Sequence, residues 1–266
     1  MAKYNFKIVY EIIDEWEEFH KVGQAIWFNK NIEQAVVLNA NVLTAVSKPL
    51  IEKFSSIRKD IHLLPNGYDP ALLGKQNRAI AKRNSKNAQL QIGYFGHLTE
   101  AWFDWDFLFS VLEQIKTENL DLHFHLIGYG EPNLADKFKQ YQNLLTFHGR
   151  VQPADLWKYA QNWDAALICF KSNALSEAVD PLKIYEYGFF GLPVIVKGIS
   201  HLNSFSYVNV IQTEAQFIDA ARQIQNQPNS ALGSKKELDL ILESSTWKQR
   251  FSELLRLLEK EQWISF

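Results

Sequence analysis

Residues 178–196 read AVDPLKIYEYGFFGLPVIV. Asp180 is placed to cap a helix and Pro181 suits the first helical position. Lys183 and Glu186 follow at i+3 and i+6, on one slowly drifting face. Gly191 and Pro193 end the helix and hand the chain to an apolar strand. Leu182, Ile184, Tyr187, Phe189 and Phe190 occupy the other faces, so the segment is apolar nearly all round. Charges at the amino end of such a helix face a cleft rather than bulk solvent.

Working outward, apolar runs alternate with amphipathic ones. FKIVYEII, VLTAVS, IHLLP, LQIGYF, LHFHLIG, LLTFHGR, AALICF, PVIVKG and VNVIQ read as strands. WDFLFSVLEQIK, NLADKFKQY, ADLWKYAQNW and TEAQFIDAARQIQ carry apolar residues at helical spacing. Near-continuously apolar strands separated by helices predict an α/β fold with a doubly wound parallel sheet, Rossmann-like in its larger part. The polar, basic segment before Leu90 reads as a linker. The expected organisation is a partial amino-terminal α/β domain over residues 1–75, a linker over 76–89, a nucleotide-sugar-binding Rossmann-like domain over 90–230, and a carboxy-terminal helix over 231–266 that returns toward the first domain. Three strand candidates in the first part are few for a domain of ordinary size, so that domain is expected to be incomplete. Its open sheet edge favours pairing with another chain, either a second copy or a complementary amino-terminal chain.

With 266 residues, 47% of them apolar, the chain can bury a sizeable core. A formal net charge of −2 argues against a bulk electrostatic footprint for nucleic acid. Cys169 is the single cysteine, which points to a reducing compartment, the cytoplasm, and to a buried structural thiol. The longest apolar run, YGFFGLPVIV, is about half of a membrane span, so no crossing is expected, while peripheral contact with a membrane stays open.

In an open parallel sheet, ligands gather beyond the carboxyl ends of the strands. Gly96 and His97 follow LQIGYF: the glycine either admits a phosphate to backbone N–H groups or makes a tight turn, and both readings stand. Asp104 and Asp106 form a D-W-D at a helix start, where capping and the helix dipole explain them better than a metal. Gly128-Tyr129-Gly130 lacks the third glycine of a dinucleotide fingerprint. His123 and His125 share one face of a strand and read as structural, with no metal site predicted. Arg150, between Gly149 and Val151, suits a phosphate, a flat base or a solvated loop.

Taken together, DPLKIYEYGFFGLPVIV, HLLPNGYD, IGYFGHL and LLTFHGRV resemble the corresponding segments of GT-B fold glycosyltransferases, the retaining family four (glycosyl transferases group 1) above all. The resemblance runs from about Lys7 to Arg222. It implies a hexosyltransferase-type enzyme that moves a sugar from a nucleoside diphosphate sugar to a saccharide or lipid-linked acceptor in polysaccharide or glycoconjugate synthesis. It implies no required cofactor; a UDP-sugar is the favoured donor, with GDP- and dTDP-sugars as alternatives. Glu186 matches the ribose-binding acid, Gly149, Arg150 and Val151 the base edge, and Gly96 and Leu182 the diphosphate contacts. Lys183 stabilises the leaving group. His97 and Asp180 complete the catalytic set, and Asp14, Trp16 and Trp102 mark the acceptor side. The family's first motif acid is replaced by Ala178, which leaves Glu177 or Asp180 to meet the sugar. An alternative is a nucleotide-sugar-binding subunit, or half of a split transferase, inactive alone.

Overall fold

The computed structural model describes residues 6–74, 89–131, 133, 135–227, 231–261 and 263. In chain order the elements are β1 (Val9–Ile12), α1 (Trp16–Lys21), α2 (Lys30–Asn39), β2 (Val42–Ala45), α3 (Lys48–Phe54) and β3 (Ile61–Leu63). Then come β4 (Leu90–His97), α4 (Trp105–Glu118), β5 (Leu122–Tyr129), α5 (Ala135–Gln140), β6 (Leu145–Gly149), α6 (Trp157–Ala160) and β7 (Ala165–Cys169). The chain finishes with α7 (Ala174–Glu177), α8 (Lys183–Phe189), β8 (Val194–Lys197), β9 (Val208–Ile211), α9 (Glu214–Asn226), α10 (Lys235–Ser244) and α11 (Trp247–Lys260). Each apolar run read as a strand coincides with one of these nine strands, and β4 and β5 extend one or two residues beyond theirs.

The chain divides into two compact units. The first comprises the residues up to Tyr68, Asn173–Leu182 and the segment from Ser244 onward; the second comprises Asp69–Ser172 and Lys183–Glu243. The expected linker over 76–89 lies, apart from Gln89, outside the described residues.

In the first unit β1, β2 and β3 form a parallel sheet in that order, with Val9 opposite Val42 and Leu43 opposite Ile61. Alternation along β1 sends Ile8, Tyr10 and Ile12 to one face. There they meet Val37, Leu43, Leu50, Phe54 and Ala178 in the core. Asn29 caps α2 by accepting from the Asn31 and Ile32 N–H groups at 3.0 and 3.2 Å. Beside the core, Lys53 pairs with the buried carboxylates of Glu15 and Glu33, and the Tyr10 hydroxyl donates to Glu33 at 3.3 Å.

The second unit holds a six-stranded parallel sheet in the order β6-β5-β4-β7-β8-β9. This is the doubly wound arrangement, whose strand order reverses between β4 and β7. Those two strands register only at Ile92–Ala165 and Gly93–Ala166 before they part. Past that point the Phe95 N–H, left without a strand partner on that side, donates to the Tyr187 hydroxyl at 3.1 Å, and the hydroxyl donates on to the Leu167 carbonyl at 3.3 Å. Tyr207 donates to the Ile184 carbonyl at 3.1 Å. The Tyr187 hydroxyl satisfies backbone groups that the divergence would strand, while Tyr207, just before β9, ties that strand to the first turn of α8. They also fix α8 against the reversal point of the sheet.

The D-W-D segment is a helix start: Asp104 accepts from the Phe107 N–H at 3.1 Å and from the buried Lys197 ammonium at 2.7 Å. Its dual engagement is the N-cap role read from the sequence. Cys169 is fully buried, with its thiol against the Asp104 carbonyl. His123 and His125 are structural too. His123 bonds the Thr146 hydroxyl at 2.8 Å, and His125 lies between His148 at 3.0 Å and Gln91 at 2.7 Å. Burial pulls His125 down to about 4, which keeps its ring neutral.

One local expectation is corrected. Asp180 does not stand at the N-cap of α8, which begins three residues later at Lys183. Pro181 biases residue 180 away from helical backbone. Asn66 takes the aspartate instead: its N–H donates to Asp180 Oδ2 at 2.7 Å and its side-chain amide to the Asp180 carbonyl at 2.8 Å. The PNG turn and the DPL segment are thereby pinned together within the first unit.

Candidate functional site

The second unit presents its candidate residues at the carboxyl ends of β4, β5 and β6 and at the start of α8. Gly96 and His97 end β4, and in register they sit opposite Gly128 and Tyr129 at the end of β5. Both glycines hold positive φ, 145° and 151°. Close approach requires both of them. A Cβ added to Gly128 would lie 1.9 Å from the Gly96 carbonyl oxygen, and one added to Gly96 would lie 3.2 Å from the Lys183 ammonium.

Lys183, at the first position of α8, packs its ammonium 4.9 Å from the Phe170 ring centroid and 5.6 Å from that of Tyr94. It makes no hydrogen bond or salt bridge with any described residue. Burial lowers it to about 8, a shift that nearby Glu186 partly opposes. The Glu186 carboxylate, one turn on, has no hydrogen-bond partner among the described residues either, and burial raises its carboxyl against the pull of Lys183. A largely buried ammonium and carboxylate without hydrogen-bond partners are costly to folding, and their free valences suit a ligand that supplies both anionic oxygens and hydroxyls.

Around Lys183 the remaining groups are also donors. His97 Nε2 lies 2.6 Å from the Tyr129 hydroxyl. Burial first, then the charges of Lys183 and Arg150, push His97 below its usual range. Arg150, exposed after β6, lays its guanidinium 3.8 Å from the centre of the Tyr129 ring. Gly149 before it holds a φ of 69° with open space where a side chain would project. Val151 is half-buried beyond it, and Leu182 is exposed at the residue before α8.

The structure therefore brings Gly96, His97, Arg150, Lys183 and Glu186 together beyond the strand ends, three basic side chains and one carboxylate beside a bare glycine. Sequence reading missed Tyr129, which touches two of these groups. The signal is there in Gly128-Tyr129-Gly130, where the glycines draw the reading toward a dinucleotide fingerprint rather than toward the tyrosine between them. Trp102, in the same unit, packs against Phe170 with ring centroids 5.7 Å apart.

Ala178, where the resemblance expects an acid, is buried in the core of the first unit. Its carbonyl accepts from the Ser47 hydroxyl at 2.5 Å. A carboxylate side chain among those apolar neighbours would be strongly penalised. In that unit Asp14 is half-buried and its carboxyl is raised to about 6 by burial alone. Trp16 lines a cavity of about 350 Å³ together with Tyr10, Ile13, Trp27, Ile32 and Glu33. A second cavity of about 200 Å³ lies at the ends of the strands, bordered by Ile13, Val46, Leu64, Trp247 and Phe251. No helix is long and apolar enough to cross a membrane among the described residues.

Comparison with known proteins gives this geometry a context. Residues 89–226 match the family model described as glycosyl transferases group 1. The putative teichuronic acid biosynthesis glycosyltransferase TuaH of Bacillus subtilis (strain 168) is 21% identical over 173 residues, which cover 62% of this chain and 42% of that protein. The chain thus spans less than half of that curated relative's length. Among solved structures, sucrose-phosphate synthase from Thermosynechococcus elongatus superposes with a TM-score of 0.69 at 16% identity, covering 97% of this chain and 69% of that one. TarM gives 0.68 at 14% identity over 96% and 50%. Anabaena HepE, solved in complex with UDP-glucose, gives 0.66 at 16% identity over 96% and 72%. At these identities the superpositions show a shared fold, that of the GT-B glycosyltransferases.

Proposed function

The chain belongs to the glycosyl transferases group 1, and from that premise we propose that it moves a sugar from a nucleoside diphosphate sugar to a saccharide or lipid-linked acceptor. The observation that carries this reading is Lys183. Its ammonium sits unpaired beside Gly96, with His97 and Arg150 nearby, where a diphosphate would supply the missing partners. As the bond to the sugar breaks, negative charge builds on the departing diphosphate. A fixed ammonium and N–H donors in a cleft stabilise that charge without reorganisation. Glu186 takes the ribose hydroxyls, Arg150 with the Gly149–Val151 backbone takes the base, and Leu182 lies next to the diphosphate at the start of α8. UDP is the favoured nucleotide. Asp180 helps meet the sugar in a conformation that Asn66 fixes, and Asp14, Trp16 and Trp102 serve the acceptor. Calorimetric titration with UDP, GDP and dTDP tests the shared core of this reading: binding of one of them in the micromolar to millimolar range is expected, and binding of none sinks it.

A second reading, a nucleotide-sugar-binding subunit or half of a split transferase, is favoured by the edge of the first sheet. β1 pairs with β2 on one side and with no strand on the other among the described residues. The two cavities of that unit share Glu11 and Ile13 at this open edge. A further strand laid there, from a complementary amino-terminal chain, would point alternate side chains to the two faces of the sheet. Sugar transfer or donor hydrolysis by the isolated chain would exclude inactivity alone; nucleotide binding with neither would support the second reading.

A further inference from the structure

Tyr129 sits between Gly128 and Gly130, both at positive φ, 151° and 87°, so its backbone is set by residues that a larger side chain could not replace without strain. The turn delivers an exposed aromatic ring to the end of the central strands. From β4, His97 reaches it, with ring centroids 4.3 Å apart and Nε2 2.6 Å from the hydroxyl. From the end of β6, Arg150 reaches its face at 3.8 Å. One side chain therefore orders two groups that come from different strands.

The direction of the short hydrogen bond follows from the partners. Burial first, then the charges of Lys183 and Arg150, hold His97 below its usual range, which favours the neutral imidazole. A phenol is a stronger donor than acceptor, and an unprotonated imidazole nitrogen is the better acceptor of the two. Tyr129 thus donates to Nε2, and the imidazole proton resides on Nδ1. A histidine held this way offers an N–H and has no free lone pair with which to take a proton.

We propose that Tyr129 is a positioning residue of the nucleotide site, which holds His97 as a neutral Nδ1–H donor and keeps the Arg150 guanidinium flat, so that both present N–H groups to a nucleoside diphosphate. The assignment rests on the nucleotide-binding reading above. It gives His97 the work of a hydrogen-bond donor to an anionic oxygen and removes it as a general base. It also explains why an exposed tyrosine occupies a tight glycine turn.

The test combines a tautomer measurement with binding. Imidazole ¹⁵N shifts of the free wild-type chain should report the Nδ1–H form of His97. In Tyr129→Phe, which keeps the ring beneath Arg150, the population should move toward the Nε2–H form that free imidazole side chains prefer in water. UDP affinity should fall about three- to tenfold for the lost hydrogen bond. Tyr129→Leu loses the ring as well and should bind about ten- to a hundredfold more weakly than the wild type. An unchanged tautomer in Tyr129→Phe overturns the proposal. So does wild-type affinity in both variants with unchanged circular dichroism. If the wild-type chain binds neither UDP, GDP nor dTDP, the nucleotide reading falls by itself, and the tautomer shift alone then upholds or overturns the hold of Tyr129 on His97.

Discussion

The Lys183 side chain packs closely over Gly96: a Cβ added to residue 96 would lie 3.1 Å from Lys183 Cε and 3.2 Å from Nζ, with the Tyr94 hydroxyl at 3.0 Å. The glycine at the end of β4 and the lysine at the start of α8 are thus a fitted pair, and neither has a purely local explanation. Since burial holds Lys183 at about 8, its charge is present below that pH and is lost above it. UDP binding should therefore be level near pH 6.5–7 and weaken as pH rises through about 8, by up to about tenfold per unit. Calorimetry across this range, with Lys183→Ala as the control, checks the claim. The variant should bind weakly throughout and lose the inflection near 8.

The same burial makes Lys183 a cost to the fold. In the unfolded chain it titrates near its ordinary value of 10.5, so folding below pH 8 desolvates a cation. Lys183→Met should stabilise the chain by about 1–3 kcal/mol at pH 7. The gain should fade between pH 8 and 10.5, where the wild type folds with a neutral amine. Chemical denaturation at pH 7 and pH 10 distinguishes this from a simple packing effect, which would show no such pH dependence.

Glu186 offers a chemically selective test. If its carboxylate accepts from ribose hydroxyls, Glu186→Ala should weaken UDP binding by about 1–3 kcal/mol, the range of a lost charged hydrogen bond. The discrimination between UDP and its 2′-deoxy analogue should shrink in parallel. A variant that binds weakly yet keeps the wild-type preference for the ribose hydroxyl would place Glu186 elsewhere in the site.

The strands were legible because parallel strands buried on both faces write themselves as uninterrupted apolar runs, as in AALICF and PVIVKG. Lys183 and Glu186 were legible because a charge in an apolar helix has few structural uses; Arg150, just after a strand, suited a solvated loop as well and was singled out by the resemblance. What the sequence hid were relations between distant segments. The capture of Asp180 by Asn66 spans 114 residues and displaces the local capping rule. The service of Tyr129 to His97 and Arg150 depends on strand order, β6-β5-β4, which no local pattern encodes. Nor does the pattern show that Ala178, at a motif position, belongs to the core of the first unit.

Gly93 shows how tightly the second sheet is filled. A Cβ there would lie 1.9 Å from Trp163 Cδ2, inside the indole that covers the strand. Gly93→Ala should force the Trp163 ring out of its place beside His125 and Phe95, with a loss of about 1–3 kcal/mol typical of overpacking. Thermal unfolding measures the loss, and the tryptophan fluorescence of the variant should report the displaced ring.

Asp14 joins stability to the proposed acceptor side. Its folded carboxyl titrates near 6 against 3.8 for an ordinary aspartate, because burial penalises the anion and no described residue pairs with it. A raised acid pKa means that stability is full below about pH 4 and falls as pH rises through 6. The side chain is only half-buried, which keeps the cost at neutral pH to about 1–3 kcal/mol. Asp14→Asn should remove that cost, raising the melting temperature at pH 7.5 and leaving it unchanged at pH 3.5. The use we propose for a charge kept unpaired at such a cost is contact with the acceptor. The asparagine variant should then bind UDP like the wild type while sugar transfer, where the wild type shows it, falls by tenfold or more, roughly the effect of one lost charged contact. Equal transfer by a more stable Asp14→Asn chain would remove Asp14 from the acceptor side and leave its burial a matter of folding alone.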